Sequence, residues 1–320
     1  MTVSRVLNNS PKLRPETREK VKKAISELGY EPNILARSLS LGHSRQIGIL
    51  VHAYSEYGPM SMLRSMYSAA LEAGYLPVVY MLEKGTTDEA QEGLSTLVSR
   101  RVDGLAIIFP QITALDFLNT AELPKVSVLF SSAPQDRIPD CQALQVCINQ
   151  YGGARKAVQH LIDRGHRRIA HIAGPQDWFD AQQRLAAWED ALSEAGLDKT
   201  PEILGDWSAQ SGYDAADQVV QIPGVTAVFS ANDQMALGLI HGLNDKGYRV
   251  PEDISVLGFD GQPESGHFLP PLTTVKQDFL SLGRLGMKVL LSNLNNKTAV
   301  APISTVEPRL FIRSSVRSLP

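Results

Sequence analysis

The sequence predicts an α/β protein in which a small all-α segment precedes a two-lobed core of two doubly wound parallel sheets. From residue 47 onward, short apolar stretches alternate with amphipathic helical stretches, the pattern of parallel strands covered by helices on both faces. At least eight strands are predicted, which exceeds one comfortable sheet of this type and so indicates two similar lobes. The residues before 47 instead show helical periodicity and a basic composition.

The N-terminal segment contains one clear amphipathic helix, Pro15–Tyr30. Its apolar residues Val21, Ile25 and Leu28 recur at helical spacing, with lysines and glutamates between them. Gly29 suits the residue just beyond a helix, because glycine readily adopts the left-handed conformation that ends many helices. The segment is therefore predicted to be helical but too small to close a core of its own.

The core is predicted to alternate strands with helices. The predicted strands are residues 47–52, 76–81, 104–109, 126–130, 144–148, 169–173, 227–230 and 255–259. The predicted helices lie near residues 59–73, 87–100, 152–164, 180–195, 233–246 and 279–294. Ligands of such open sheets bind beyond the carboxyl ends of the strands, so functional residues are expected there.

The charges are distributed unevenly along the chain. Residues 1–46 carry nine lysines and arginines against four glutamates, a net charge of +5, so the remainder of a chain of net charge −3 carries −8. A small basic segment on an acidic body indicates that the segment meets a polyanion. A solvated helical surface is the alternative interpretation on charge alone.

Composition indicates a soluble protein of a reducing compartment. The sequence has no apolar stretch of roughly 18 residues and no apolar signal region near its start, so a cytoplasmic location without membrane contact is predicted. Cys141 and Cys147 have the spacing of neither a disulfide framework nor a zinc site. They are predicted to be buried thiols.

Polar or aromatic residues follow several predicted strands, where a ligand would bind. They are Ser131-Ser132, Asn149-Gln150, Asn232-Asp233 and Asp260, with Asp206-Trp207 before a helix and Arg184 early in the helix after strand 169–173. Each has a structural alternative, since Asn232-Asp233 could cap the next helix and Asp260 could form a turn. Their repeated occurrence at one end of the architecture predicts a binding site.

The chemistry of these residues suits a neutral polyhydroxylated ligand. Amide, carboxylate and guanidinium groups form directional hydrogen bonds to hydroxyls, and a flat indole can cover the apolar face of a sugar ring. A phosphate ligand would more often require a glycine-rich loop at a helix start, and the sequence contains neither GxGxxG nor GxxxxGK[ST].

Several motifs resemble the LacI family of bacterial transcription regulators. TVSRVLNN (2–9) and LRPETREKVKKAISELGYEPNILARSL (13–39) are similar to the DNA-binding end of that family. Further similar motifs follow in the expected order: GHRRIAHIAGP (165–175), RLAAWEDAL (184–192), VFSANDQMALG (228–238), PEDISVLGFD (251–260) and PPLTTVKQD (270–278). Together with GDWSA (205–209), they favour the lactose-repressor branch of the family.

The resemblance implies a domain organisation. Residues 1–31 would form part of a helix-turn-helix headpiece, residues 32–46 a hinge helix and linker, and residues 47–320 an effector-binding and dimerisation core. The core would resemble a periplasmic sugar-binding protein. Its N-lobe would span about 47–148 with 278–307, and its C-lobe about 149–277 with the C-terminal end.

The resemblance also implies contacts with operator DNA. The stretch 2–8 would lie in the recognition helix, which enters the major groove. Leu39 of the hinge would enter the minor groove as a wedge between base steps, which bends the duplex. The implied contact residues are Thr2, Ser4, Arg5, Asn8, Asn33, Ala36, Arg37 and Leu39.

An effector site is implied in the same way. Arg184, Asn232 and Asp260 are expected to hydrogen-bond to sugar hydroxyls, and Trp207 to stack against the ring. The complete implied set is Arg184, Trp207, Asn232, Asp260, Gln277, Phe279, Tyr57, Lys84 and Ser132.

Three features depart from the family pattern. Ser132 and Asn149 stand where many relatives have an aspartate, which leaves the sugar open, with a galactoside as the first candidate. The family has further headpiece residues before Thr2, so Met1 is interpreted as an internal methionine of a longer protein or as the start of a shortened one that would bind operator poorly. The chain ends at FIRSSVRSLP (311–320) without leucine heptads, so a homodimer is expected.

The predicted function is therefore an operator-binding repressor that a saccharide inducer releases from DNA, without a cofactor or a metal ion. Two alternatives are a sugar-binding protein of the periplasmic type without a DNA-binding role and a regulator with a purine effector. An enzyme acting on sugars could use Asp206 and Asp260 as a carboxylate pair. No hydrolase or metal motif accompanies them, so no catalytic residue is predicted.

Overall fold

A computed structural model describes residues 6, 14–29, 43–52, 55–124, 126–138, 143–294 and 303–320. The chain divides into two compact units, Met1–Arg45 and Gln46–Pro320. No helix in the described ranges is long and apolar enough to cross a membrane. The predicted DNA contacts all lie outside the described residues: Thr2, Ser4, Arg5, Asn8, Asn33, Ala36, Arg37 and Leu39.

The first unit contains helix α1 (Pro15–Glu27), which begins at its predicted residue and ends three residues before Tyr30. The backbone N–H of Leu28 donates to the carbonyl of Ala24 and closes the last helical turn. Gly29 follows with φ of +57°, a conformation that glycine adopts without steric cost. The helix therefore ends just before Gly29, as the sequence predicted.

The second unit is built from alternating strands and helices. The strands are β1 (Gln46–His52), β2 (Leu76–Leu82), β3 (Gly104–Ile108), β4 (Ser127–Phe130), β5 (Ala143–Ile148), β6 (Ile169–Ala173), β7 (Ile203–Leu204), β8 (Ala227–Ser230), β9 (Ser255–Asp260), β10 (Thr273–Lys276), β11 (Ile303–Val306) and β12 (Arg309–Phe311). The helices are α2 (Tyr57–Glu72), α3 (Thr87–Ser99), α4 (Thr113–Thr120), α5 (Gln150–Asp163), α6 (Phe179–Glu194), α7 (Ala209–Val220), α8 (Asp233–Asp245) and α9 (Phe279–Leu294).

These strands form two six-stranded sheets. The first has the order β11-β5-β4-β3-β1-β2 and is parallel throughout. The second has the order β12-β10-β9-β8-β6-β7 and is parallel except for the antiparallel pair β10–β12. We call the first sheet with its helices the N-lobe and the second the C-lobe. The predicted fold class, a core of two doubly wound sheets, is confirmed.

Helices cover both faces of each sheet, which explains why the strands consist mostly of apolar residues. In the N-lobe, α2 and α9 pack on one face and α3 and α4 on the other. In the C-lobe, α7 and α8 cover one face and α5 and α6 the other. Strands β3, β4, β6, β8 and β9 are buried at every residue, as expected for parallel strands between two helical layers.

No bounds were predicted for helices α4 and α7 or for strands β7, β10, β11 and β12, although the sequence indicated a helix after Ser208. Helix α4 has eight residues, and the four strands have between two and four. Strand β7 has only two residues, and β10 (TTVK), β11 (ISTV) and β12 (RLF) lack the continuous apolar run by which buried parallel strands were identified. The chain crosses between the lobes three times: after β5, after β10, and between β11 and β12.

Candidate functional site

A narrow cleft with a cavity volume of about 30 Å³ lies between the two lobes. The N-lobe contributes residues 56–59 at the start of α2, and the C-lobe contributes residues that follow the carboxyl ends of β6, β7, β8, β9 and β10. The lining residues are Glu56, Tyr57, Gly58, Pro59, Trp178, Asp180, Arg184, Trp207, Asn232, Gln234, Asp260 and Gln277.

Arg184 is the buried cation of this cleft, with 3 % of its surface exposed. Its Nε and Nη2 donate to Oε1 of Gln150 at 3.0 and 2.9 Å, and its Nη1 donates to the carbonyl of Ala231 at 2.6 Å. Nη1 also lies 3.7 Å from Oδ1 of Asp260, and Nη2 lies 3.9 Å from Oδ2 of Asp180. The guanidinium is therefore fixed by neutral acceptors and pairs with two carboxylates at longer range.

Asp260 closes β9 in a conformation that few side chains adopt. Its φ is +108°, and Gly261 follows at +66°. Backbone strain of this kind costs roughly 1–3 kcal/mol and is concentrated at functional sites. Oδ1 of Asp260 accepts a hydrogen bond from Nε2 of Gln277 at 2.6 Å. Burial raises the pKa of the Asp260 carboxyl to about 6, against the opposing effect of Arg184.

Gln150 connects these groups, although it was not among the predicted site residues. It begins α5 and is almost fully buried. Its Nε2 donates to Oε1 of Gln277 at 2.9 Å and to Oδ2 of Asp180 at 3.3 Å, while its Oε1 accepts from Arg184. We call Gln150, Asp180, Arg184, Asp260 and Gln277 the cleft network. Gln150 was named among the polar residues that follow predicted strands, but it was not assigned to the effector set.

The cleft network touches two of the three crossovers between the lobes. Gln150 follows the first crossover, and Gln277 precedes the second. The third crossover contacts the first. Nδ2 of Asn149 donates to Oε1 of Glu307 at 2.8 Å, and Lys156 forms an ion pair with Glu307 at 3.3 Å. A change in the cleft network thus acts directly on the segments about which the lobes would move.

Trp207 forms an aromatic wall of the cleft and is 6 % exposed. Its ring lies edge-to-face with that of Trp178, with centroids 5.5 Å apart. A Cβ at Gly174 would lie 2.1 Å from the Trp207 ring, so only glycine leaves room for the indole there. The buried Nε1 of Trp207 donates no hydrogen bond to any described residue. The indole offers a flat apolar face and an unused donor.

Asn232 lines the cleft, but its side chain is already engaged. Oδ1 accepts from the backbone N–H of Met235 at 2.8 Å, which caps α8. Nδ2 donates to the carbonyl of Trp207 at 2.9 Å. Asn232 therefore caps helix α8, as the structural alternative from the sequence had it. Its hydrogen bond to the carbonyl of Trp207 also helps to hold Trp207 in place.

Asp233 is buried behind this cap and ties α8 to β10. Its Oδ1 accepts from Oγ1 of Thr274 at 2.6 Å, and its Oδ2 accepts from the backbone N–H of Gln262 at 2.8 Å. Burial, and next the charge of Asp260, raise the pKa of Asp233 to about 8. Between the ordinary value of 3.8 and about 8, the folded protein thus holds a proton that the unfolded chain releases.

The free energy of unfolding is therefore expected to fall as pH rises through this range. Burial lowers the pKa of His171 to about 4, which has the opposite effect below its ordinary 6.5, so the effect of Asp233 is measured in the interval from pH 6.5 to 8, above the titration of His171. The loss there should reach about 2 kcal/mol, from one proton over that interval. Urea unfolding at several pH values measures it. Asp233→Asn should flatten the dependence and Asp198→Asn on the surface should not, whereas an unchanged slope in Asp233→Asn would contradict the assignment.

The N-lobe positions predicted for the effector divide into two groups. Tyr57 lines the cleft, and Phe279 supports it from behind with ring centroids 5.8 Å apart. Lys84 is exposed on a loop, where its backbone N–H donates to Glu89 at 2.9 Å, and it does not line the cleft. Ser132 is buried near the C-lobe, and it too lies outside the cleft lining.

Asp206 is not placed as a partner of Asp260. Its Oδ1 accepts from the backbone N–H of Ser208 at 2.9 Å, and hydrogen bonds from Ser208 lower its pKa. It stabilises the turn before α7 and is not part of the cleft lining. Among the described residues, no group of three or more histidine, cysteine, aspartate or glutamate side chains could hold a metal ion.

Two parallel-sheet lobes around a polar cleft define an effector-binding core of the periplasmic-binding-protein type. Comparisons with known proteins agree. Residues 158–316 match the periplasmic binding protein-like domain, and residues 1–33 match the family of bacterial regulatory proteins called the lacI family.

Individual relatives match along nearly the whole chain. The lactose operon repressor of Escherichia coli (strain K12) is 34 % identical, over 98 % of this chain and 91 % of the relative. The HTH-type transcriptional repressor PurR of Vibrio atlanticus (strain LGP32) is 33 % identical, over 99 % and 95 %. The chain belongs to the LacI family, and it is a DNA-binding transcriptional repressor of that family. These relatives are transcriptional regulators rather than enzymes.

Solved structures show the same fold. The lac repressor dimer bound to operator and the anti-inducer ONPF superimposes with a TM-score of 0.88 at 33 % identity, covering 99 % of this chain and 95 % of that one. The transcriptional regulator CelR in complex with cellobiose gives 0.75 at 32 % identity, over 98 % and 94 %.

Proposed function

We propose that this repressor senses a small saccharide, with a galactoside as the first candidate, and that the saccharide binds in the cleft and acts as an inducer. The observation that carries the proposal is the cleft network beside Trp207. It presents guanidinium, carboxylate and amide groups next to a flat indole, the combination that hydroxyls and a sugar ring require. The likeness to a cellobiose-bound regulator supports the same class of effector.

The cleft network also supplies a route from effector to lobe orientation. An effector that hydrogen-bonds to Arg184 or Asp260 competes with their contacts to Gln150 and Gln277, which adjoin two crossovers. Binding energy that differs between two lobe orientations shifts the population towards one of them. We propose that the effector-bound orientation holds operator DNA more weakly.

We propose that the DNA-binding parts are those that the sequence indicates. They are a headpiece in residues 1–31 and a hinge in residues 32–46, with the lobes at about 47–148 plus 278–307 and about 149–277 plus the C-terminal end. The basic charge of residues 1–46 supports contact with a polyanion in the cytoplasm. The proposed contact residues are Thr2, Ser4, Arg5, Asn8, Asn33, Ala36, Arg37 and Leu39.

A homodimer is proposed because the N-lobe leaves apolar side chains exposed. Tyr67 and Leu71 lie one turn apart on α2 and are 40 % and 50 % exposed. Met81, 45 % exposed, lies on the edge strand β2. Exposed apolar side chains on a helix and on an edge strand of the same lobe are typical of an interface between subunits. The similarity of this chain to the lac repressor, whose solved structure is a dimer, supports this arrangement.

Removal of Trp207 tests the proposed function. Trp207→Ala is expected to lower saccharide affinity by about tenfold or more, because the stacking face and the indole donor are both lost. Intrinsic tryptophan fluorescence, titrated with galactosides and then glucosides, measures the affinity of the parent protein and calorimetry that of the variant. Trp188→Phe is the matched control, since Trp188 is buried in the C-lobe core beside His171 and does not line the cleft.

A purine is the second candidate effector, favoured by the 33 % identity to a PurR repressor. Two tryptophans in one cleft would also suit a planar base. Purine bases and nucleosides therefore belong in the same titration panel. Saturable binding of a purine with no response to any saccharide would replace the saccharide assignment, and full retention of saccharide affinity in Trp207→Ala would remove the cleft as its site.

A further inference from the structure

The cleft contains more carboxylates than cations. Glu56, Asp180 and Asp260 line it together with a single positively charged residue, Arg184. With all four ionised, the described lining carries a net charge of −2. The charge class of the effector can therefore be inferred from the residues that surround it, on the basis of the proposed saccharide site.

Arg184 does not supply hydrogen bonds to these carboxylates. Its three short N–H contacts go to the neutral oxygens of Gln150 and Ala231. Its distances to Asp260 and Asp180 are 3.7 and 3.9 Å, beyond hydrogen-bonding range. The hydrogen bonds that do reach these carboxylates within the cleft network come from neutral glutamine amides. The carboxylates of Asp180 and Asp260 can therefore still accept hydrogen bonds from a charged donor of a ligand.

Glu56 lies on the opposite wall, in the N-lobe, and forms no ion pair within the described part of the chain. Its Oε1 accepts a hydrogen bond from the neutral hydroxyl of Ser55, at 3.4 Å. Burial raises the pKa of Glu56, and the charge of nearby Asp206 raises it further. Glu56 and Asp260 also repel each other across the cleft. No described residue forms an ion pair with this half-buried carboxylate, whereas a cationic ligand between the two lobes would compensate its charge.

The unpartnered Nε1 of Trp207 adds a second requirement. It is a buried donor without a partner among the described residues, and it belongs to a residue that lines the cleft, so a ligand oxygen that reached it would satisfy it. The ligand thus needs hydroxyl oxygens for Trp207 and Arg184 and a positive group for Glu56. We propose that the effector is an amino sugar with a protonated amine, and that Glu56 is the residue that selects the amine.

Other charge classes fit less well. A sugar phosphate or sugar acid would bring a like charge towards three carboxylates that face one arginine, and like charges at such range oppose binding. A neutral sugar would cover Glu56 without compensating it, which costs free energy because a buried charge needs a partner. An ammonium group donates three hydrogen bonds, and bonds to charged groups are the stronger ones.

Matched sugars test the proposal. Calorimetry with galactosamine, galactose, N-acetylgalactosamine and galactose 6-phosphate, and with the corresponding glucose series, changes the charge while keeping the ring. The free amine is expected to bind at least about tenfold more tightly than its N-acetyl form, the scale of one charged hydrogen bond. Glu56→Gln should bring that ratio close to one. Glu92→Gln, a matched change on the exposed face of α3, should leave the ratio as it is.

The outcomes separate this proposal from the function on which it rests. Equal or tighter binding of a neutral or phosphorylated sugar, or an amine preference that persists in Glu56→Gln, would overturn the amino-sugar assignment while the saccharide site stands. If no saccharide of any charge binds, both proposals are wrong.

Discussion

Replacing Arg184 with leucine is expected to lower effector affinity by about a hundredfold, the loss that removal of a buried charged hydrogen-bond donor produces. The change removes the cation of the cleft and the donor to Gln150. Asp180 and Asp260 then face each other without compensation, so their pKa values, already raised by burial, should rise further. Removing one member of a buried ion pair also costs about 3–5 kcal/mol of stability. Protonation of the remaining carboxylates reduces this cost.

Isothermal titration with the effector and urea unfolding measure the two effects. Arg249→Leu is the matched control, because Arg249 pairs with Asp253 at the surface with 70 % of its side chain exposed. Such a pair contributes at most about 1 kcal/mol, and effector affinity should not change. Arg184→Lys should also fail to restore binding, since one ammonium group cannot reproduce the paired contact with Gln150. Wild-type affinity in Arg184→Leu would mean that the effector binds elsewhere.

Replacing Gly238 with alanine is expected to destabilise the C-lobe by about 3 kcal/mol or more, through overpacking that the core cannot relieve. An added Cβ would lie 1.7 Å from the carbonyl oxygen of Ala209. The neighbouring helix repeats the arrangement, since a Cβ at Gly212 would lie 2.0 Å from the carbonyl oxygen of Met235. Helices α7 and α8 are therefore in backbone contact, and neither side can yield by rotating a side chain.

The same contact positions the cleft. Helix α7 begins directly after Trp207 and its cap, and α8 begins after Asn232, so separating the helices moves both walls. Thermal unfolding and effector titration of Gly238→Ala should thus show a lowered Tm and weakened binding together. Gly266→Ala is the control, because the nearest atom to its added Cβ lies 3.7 Å away. A Gly238→Ala protein with unchanged Tm would contradict the close helix packing.

The fold could be read from the sequence because parallel strands between helical layers are continuous apolar runs. Strands 169–173 and 227–230 were predicted with the bounds that they have, and both are buried at every residue. Strand β7 was missed because it has only two residues, and β10 because its residues, TTVK, do not form a continuous apolar run. The left-handed conformation of Asp260 has no sequence signal at all.

The candidate site was only partly predictable. Arg184, Trp207, Asp260 and Gln277 were expected together, and the structure places all four in one cleft. Gln150 was not assigned, because its partners lie 34 and 127 residues away and sequence does not report which polar side chains meet. Glu56, Asp180 and Gln234 were missed for the same reason. The effector charge that we infer depends on Glu56 and Asp180.

We expect an effector bound in the cleft to weaken operator binding, and anisotropy of a labelled operator measures this effect directly. The operator is a pseudo-palindromic duplex that the protein selects from a random pool, titrated with and without a saturating sugar. We predict that the sugar lowers operator affinity by about tenfold or more, within the usual range of allosteric coupling, and that it has no such effect on Arg184→Leu. Unchanged operator affinity, while tryptophan fluorescence shows the cleft to be saturated, would contradict the account.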